Sequence, residues 1–307
     1  MVKFIPIRYS DTINPPDINP KIQERAANFF RKTLEKTKLP YLSLHTDPAR
    51  RWNKEKILSS DLLAQYPAIL NNAYEFGQSW ISKLWYDEQW SKDFSGFLVK
   101  LVDGMDRQRI RLIEVHPPFN DYCDSFETFI ERYKPFEEEI LKEFTEAIIN
   151  IENRCNRGKK YIGGKFLLSS NIDIIKLSKL ICDAGVKLKI VLDFPQLFTE
   201  HYEQESLSSK MIKEVLAPIK EIRDCISSAH IWGKGKEGVH NGDLDIYFNN
   251  DKEVKDCFLQ EVWDLFNDGK ERYFVPEVDS TPHIKSIVSD LRNAGFEFVE
   301  FRSKGEM

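Results

Sequence analysis

Residues Lys189-Ile-Val-Leu-Asp-Phe-Pro195 decide how the chain is read. Ile190, Val191 and Leu192 leave no face for water, so a strand here must be covered on both sides. An acid then closes the run, and Phe-Pro turns the chain away. The same grammar recurs along the sequence. Short apolar runs at 4–8, 41–45, 112–116, 165–169, 189–193, 228–232 and 273–278 end in polar, metal-capable or small residues. Between them lie amphipathic stretches at 22–36, 126–151, 172–184, 209–225 and 284–294. Apolar strands alternating with helices predict a parallel sheet covered by helices.

The expected architecture is α/β, a (β/α)8 TIM barrel formed as one domain over residues 1–307. It is irregular around 46–105, where Phe94, Phe97, Leu98, Leu101 and Val102 keep a helical period and a helical insertion replaces the regular pattern. The remaining strand is expected near 80–85 or at 296–301. The rival is an open doubly wound sheet.

Composition narrows the surroundings. A formal net charge of -5 gives no global attraction to polyanions, so nucleic acid would need a local basic surface. Five cysteines without a Cys-x-x-Cys pair suit free thiols in a reducing compartment, not a disulfide framework or a zinc ribbon. No apolar run approaches membrane-spanning length, and a cytoplasmic protein without membrane contact is expected.

Chemistry-bearing side chains gather at the ends of the expected strands. They are Glu114 and His116 in RLIEVHPP, Asp193 in KIVLDFP, His230 in SAHIWGK and Glu277 in YFVPEVD. His240 follows in a glycine-rich loop, near Asp243. Each taken singly is compatible with a cap or an ion pair. Together, on the face where such barrels build their sites, imidazole nitrogens and carboxylate oxygens are a donor set for Zn²⁺ or Mn²⁺.

These strand-end residues, with VHPP and a His-x-Gly loop at His240, resemble the xylose-isomerase-like TIM barrels over roughly residues 110–298. That superfamily includes sugar-phosphate isomerases and epimerases and the endonuclease IV type of apurinic/apyrimidinic endonuclease (AP endonuclease family 2). The resemblance implies that His116, Asp193, His230, Glu277 and His240 are metal ligands. It also implies that His45, ending YLSLH, is the earlier histidine of the endonuclease branch. Two positions depart from the pattern. The bridging glutamate expected on KFLLSSN is replaced by Ser169 and Ser170, and Gln196 stands where the endonuclease branch has histidine. One or two ions are expected, not three.

Isomerases of this group use two opposed carboxylates, and without the KFLLSSN glutamate that pair is broken. Hydrolysis needs only a metal-activated water. The leading expectation is therefore a divalent-metal-dependent hydrolase acting on a phosphodiester in nucleic acid, with Glu277, Glu114 and His240 at the chemistry. Alternatives are a sugar or sugar-phosphate isomerase/epimerase and a non-catalytic barrel serving as a binding subunit. Substrate contacts are expected from Arg50, Arg51 and Trp52 in DPARRWNKEK and from Lys234 and Lys236 in HIWGKGKEG. The partner is then DNA or a phosphorylated sugar.

Overall fold

From the N-terminus the strands are β1 (Val2–Pro6), β2 (Arg8–Tyr9), β3 (Leu42–His45), β4 (Trp52–Asn53), β5 (Ala73–Phe76), β6 (Ser79–Ser82) and β7 (Ile110–Val115). They continue as β8 (Ile148–Glu152), β9 (Lys189–Asp193), β10 (Ile226–His230), β11 (Gly233–Gly235), β12 (Gly238–Gly242), β13 (Glu271–Val275) and β14 (Phe296–Phe298). This computed structural model describes residues 2–6, 8–9, 42–46, 52–58, 60–102, 107–235, 238–278 and 281–299. The main sheet runs β14-β1-β13-β10-β9-β8-β7-β3-β2, with every pairing parallel. In β9, Ile190, Val191 and Leu192 are fully buried, as a doubly covered strand requires.

The expected closed eight-stranded barrel is not what forms. β13 pairs directly with β1, from Lys3 opposite Glu271 to Pro6 opposite Phe274, so no room remains between them for an eighth strand. β14, only three residues long, lies instead along the other edge of β1 at Val2 to Phe4. β2, two residues beyond β1, pairs with β3. One N-terminal run therefore serves both ends of a curled parallel sheet.

A second correction bears on the site. The expected strand at 165–169 is absent, and the helical stretch read as 126–151 stops at Glu143. Its last residues form β8 instead. Apolar residues at 140, 144, 148 and 151 continue a helical spacing by coincidence, while Ile148, Ile149 and Ile151 carry the β-branched signal of a strand. Residues 165–169 run as extended loop: Leu167 N–H donates to Pro118 O at 2.9 Å, and Leu168 O accepts from Arg154 N–H at 2.9 Å. The stretch ends in a capping box, in which Ser170 caps helix Asn171–Ala184 and Asp173 reaches back to it.

The region 46–105 is more than a helical insertion. β4, β6 and β5 form a small antiparallel sheet, followed by helix Glu88–Leu101 capped by Asp87. That helix packs on helix Phe126–Glu143. Trp80, Trp85 and Trp90 are buried, and Trp85 meets Phe129, Tyr133 and Phe136 at ring-centroid distances of 5.6, 5.8 and 5.1 Å. The tryptophan series is packing, in keeping with its helical company.

Candidate metal centre at the strand ends

Six strand-end side chains converge at the carboxyl end of the sheet. β3 ends in His45, β8 in Glu152, β9 in Asp193 and β10 in His230, while His116 lies just past β7 and Glu277 just past β13. All six are buried. Parallel strands in register make this convergence unavoidable, since His230 lies opposite Asp193 on one side and Val275 on the other.

Glu152 is the hub. Its Oε2 lies 3.0 Å from His45 Nε2, 3.2 Å from His116 Nε2 and 3.8 Å from His230 Nδ1. Its Oε1 accepts from Arg154 at 3.0 Å and from Gln196 Nε2 at 2.8 Å. Gln196 also donates to Asp193 Oδ2 at 2.8 Å, and Trp232 Nε1 donates to the same oxygen at 3.1 Å. Asp193 additionally caps helix Phe194–His201 by accepting Gln196 N–H at 3.0 Å. His230 faces Glu277 Oε2 across 3.3 Å from Nδ1, while its Nε2 meets Glu114 Oε1 at 2.9 Å. Ser43 donates to the other oxygen of Glu114. With Glu114 against Nε2, Nδ1 is the ring nitrogen turned towards Glu277 and Glu152.

The charge balance is lopsided. Burial and then the neighbouring carboxylates of Glu152 and Glu277 push Asp193 up to about 7. Burial also works against ionised Glu152, but Arg154, followed by His116 and His45, holds it well below the usual carboxylate range. His230 is raised well above an ordinary histidine: burial opposes the imidazolium, and Glu277 and Glu114 outweigh it. Burial likewise opposes ionised Glu277, yet His230 brings it down to about 2. Among these histidines it is His230 whose raised affinity for a proton offsets the neighbouring carboxylates.

A divalent cation suits this donor set. Ligand atoms of His45, His116 and Glu152 lie within 4.8 Å of one another, and so do those of Glu152, Asp193 and His230. Glu152 belongs to both groups, which makes it a shared carboxylate between two candidate positions.

The expected residues fare differently. His116 falls in one group and Asp193 and His230 in the other, the two joined by Glu152, while Glu277 belongs to neither and lies against His230 Nδ1 at 3.3 Å. His240 stands beside Glu277, its Nδ1 2.8 Å from the Glu277 carbonyl and 3.8 Å from Oε2, and belongs to neither group of ligand atoms. Glu114 lies behind His230 and belongs to neither group. Asp243 caps helix Leu244–Tyr247. Ser169 and Ser170 do not mark a lost glutamate, because the strand preceding Asp193 is β8 and it ends in Glu152. Arg50, Arg51 and Lys236 lie outside the described residues. The backbone of Trp52 pairs with Trp80, and nearby Lys54 is tied to Glu75. Lys234 is exposed.

Reasoning from the sequence missed Glu152, Arg154, Trp232 and the anchoring role of Trp85, whose Nε1 donates to the His116 carbonyl at 2.7 Å. The strand signal in AIINIE could have found Glu152. The others needed coordinates.

Fold and site thus define an α/β protein with a curled parallel sheet and a buried histidine–carboxylate cluster at its strand ends. No family model and no curated protein matches the sequence. Among solved structures the chain is similar to D-allulose 3-epimerase from Methylomonas sp., at 9% identity and a TM-score of 0.47, covering 98% of this chain and 92% of that one. It is also similar to PbGH5A, a glycoside hydrolase family 5 enzyme from Prevotella bryantii B14 (9%, 0.45, 96% and 82%). A xylose isomerase domain protein from Planctomyces limnophilus gives 11% identity and 0.39, over 86% and 90%.

Proposed function

We propose that the protein is a metal-dependent isomerase or epimerase of a sugar or sugar phosphate, in which Glu152 and Glu277 act on opposite sides of the substrate. The observation that supports this over hydrolysis is Glu152 itself. With a glutamate ending β8, the chain has two carboxylates facing one imidazole, His230, and the argument for a broken acid/base pair disappears.

Zn²⁺ or Mn²⁺ would be held by Glu152, Asp193, His230 and Glu277. When bound, such an ion polarises a carbonyl or hydroxyl of the substrate and offsets developing negative charge. The chain's own residues do the rest. Arg154 and Gln196 orient one oxygen of Glu152, and the other, against the His45 and His116 imidazoles, is the one that would accept or return a proton. Glu114 fixes the His230 ring. Gln196 and Trp232 hold Asp193 by hydrogen bonds that a freely rotating carboxylate would lack. His240, against the Glu277 carbonyl, closes the side of that carboxylate.

Turnover of ketoses and aldoses in deuterated water tests this reading. Solvent deuterium should enter the carbon skeleton, and Glu152→Gln and Glu277→Gln should each lower the rate by about 10²-fold or more. Absence of exchange with every sugar tried would overturn it.

A second reading has its own support. His45, His116 and Glu152 form a further group of ligand atoms, and paired ions favour phosphodiester hydrolysis. Cleavage of an abasic-site DNA strand, lost in His45→Ala, would favour that reading.

A further inference from the structure

Beside the cluster lies a cavity of about 400 Å³, walled by Tyr74, Ile81, Phe119 and Tyr161 and rimmed by Lys159 and Lys160. Its volume falls in the range of small-molecule sites. A run of side-chain contacts links its wall to the residues around Glu152. Arg154, which donates to Glu152, lies over the Phe166 ring with its guanidinium 5.9 Å from the centroid. Phe166 stacks on Phe119 at 4.3 Å, and Phe119 meets Tyr161 at 5.7 Å. Phe119 also follows His116 by three residues on the loop leaving β7.

The walls present ring faces. Tyr161 gives its hydroxyl to the Cys155 carbonyl at 3.0 Å, and the Tyr74 hydroxyl is bonded to Asp121, so neither phenol has to be satisfied by a ligand. Tyr74 comes from the β5–β6 hairpin and packs near Phe119 at 6.3 Å, so the insertion supplies one side of the cavity. The rim is cationic. Lys159 is open to solvent, yet the protein around it, and then Arg154, lowers its pKa; Lys234 acts in the same direction from the loop after β10. Cations from two loops therefore share one field, beside a site where carboxylates prevail.

We propose that this cavity holds the non-reacting end of the substrate: a phosphorylated sugar, its ring lying against Tyr161 and Tyr74 and its phosphate met by Lys159 and Lys160. The choice of sugar rests on the isomerase reading, whereas binding at the cavity does not require turnover. Ring CH groups suit the flat aromatic walls, and mobile ammonium groups suit a phosphate that enters and leaves.

Calorimetric titration of the full-length protein with D-ribose 5-phosphate and with D-ribose tests the assignment. The phosphorylated sugar should bind more tightly by about tenfold or more, the scale of one charge-assisted hydrogen bond. The double variant Lys159→Gln/Lys160→Gln should abolish that preference, while Tyr74→Ala should weaken both sugars alike. A preference that survives the lysine changes overturns the phosphate assignment, and tighter binding of thymidine 5′-monophosphate than of ribose 5-phosphate overturns the sugar. Retained discrimination without any isomerisation would count against the isomerase reading and leave the cavity's role standing.

Discussion

Two buried charged assemblies occupy opposite ends of the same sheet, and they are built on different terms. Near the start of β13, Arg272 donates to both oxygens of Asp268 at 2.8 and 2.7 Å and to the carbonyls of Ile226 and Arg223 at 3.1 Å each. Arg272 makes a two-point pair with one carboxylate and gives two further N–H groups to carbonyls, with Arg223 a more distant second cation at 3.8 Å from Asp268. At the other end four buried carboxylates, Glu114, Glu152, Asp193 and Glu277, gather where, among the described residues, one guanidinium, that of Arg154, pairs with Glu152, and histidines face the rest. The paired end is close to neutral; the other, in excess of negative charge, is a donor set that could hold a cation.

The sharpest break of this contrast is Asp268→Asn. It leaves Arg272 buried without its counter-charge and should cost about 3–5 kcal/mol of stability, read from denaturant midpoints. An unchanged midpoint would erase the distinction between the two ends. Asp193→Asn should act in the opposite sense, raising the melting temperature of metal-free protein because it relieves crowding among carboxylates. A fall would mean that the cluster is balanced as it stands.

Acid should act on the lower pair in a defined direction. The Asp268 carboxylate is held at about 2, first by its hydrogen bonds to Arg272, against an ordinary value of 3.8. A carboxyl depressed in the folded state contributes stability that is present above the ordinary value and lost as pH falls towards 2. The wild type should therefore lose stability across that window by more than Asp268→Asn does. Parallel curves would show that the pair contributes nothing.

Smaller effects probe the supports. Trp85→Phe removes the donor to the His116 carbonyl and should cost about 1–3 kcal/mol. Ser170→Ala should cost about 1 kcal/mol through the lost cap and leave metal content unchanged. A metal-free Ser170→Ala protein would return the serines to the site.

How much of this was legible in the sequence depended on how local the signal was. β9 could be read because Ile190 to Leu192 is a short apolar run stopped by Asp193, whereas β10, Ile226–His230, was expected two residues later at 228–232; the parallel α/β class followed from the alternation of such runs with helices. β8 was hidden because Ile140, Phe144, Ile148 and Ile151 prolong the spacing of the preceding helix, and with β8 went Glu152. Its loss inverted the functional argument, since an absent glutamate favoured hydrolysis and a present one supports proton transfer. Barrel closure was misjudged for a different reason. Whether β13 meets β1 or an intervening strand is decided by pairing between residues more than 260 positions apart, which no local pattern encodes. The contribution of Arg154, three-dimensional in the same way, carried no signal at all.

The most direct test of the centre is elemental analysis of the full-length protein after exhaustive dialysis against buffer containing zinc or manganese, in wild type and Glu152→Gln. The account predicts that wild type retains the ion and that the variant, still folded by circular dichroism, loses it, because Glu152 is common to both groups of ligand atoms. Equal ion content in the two proteins would contradict the account.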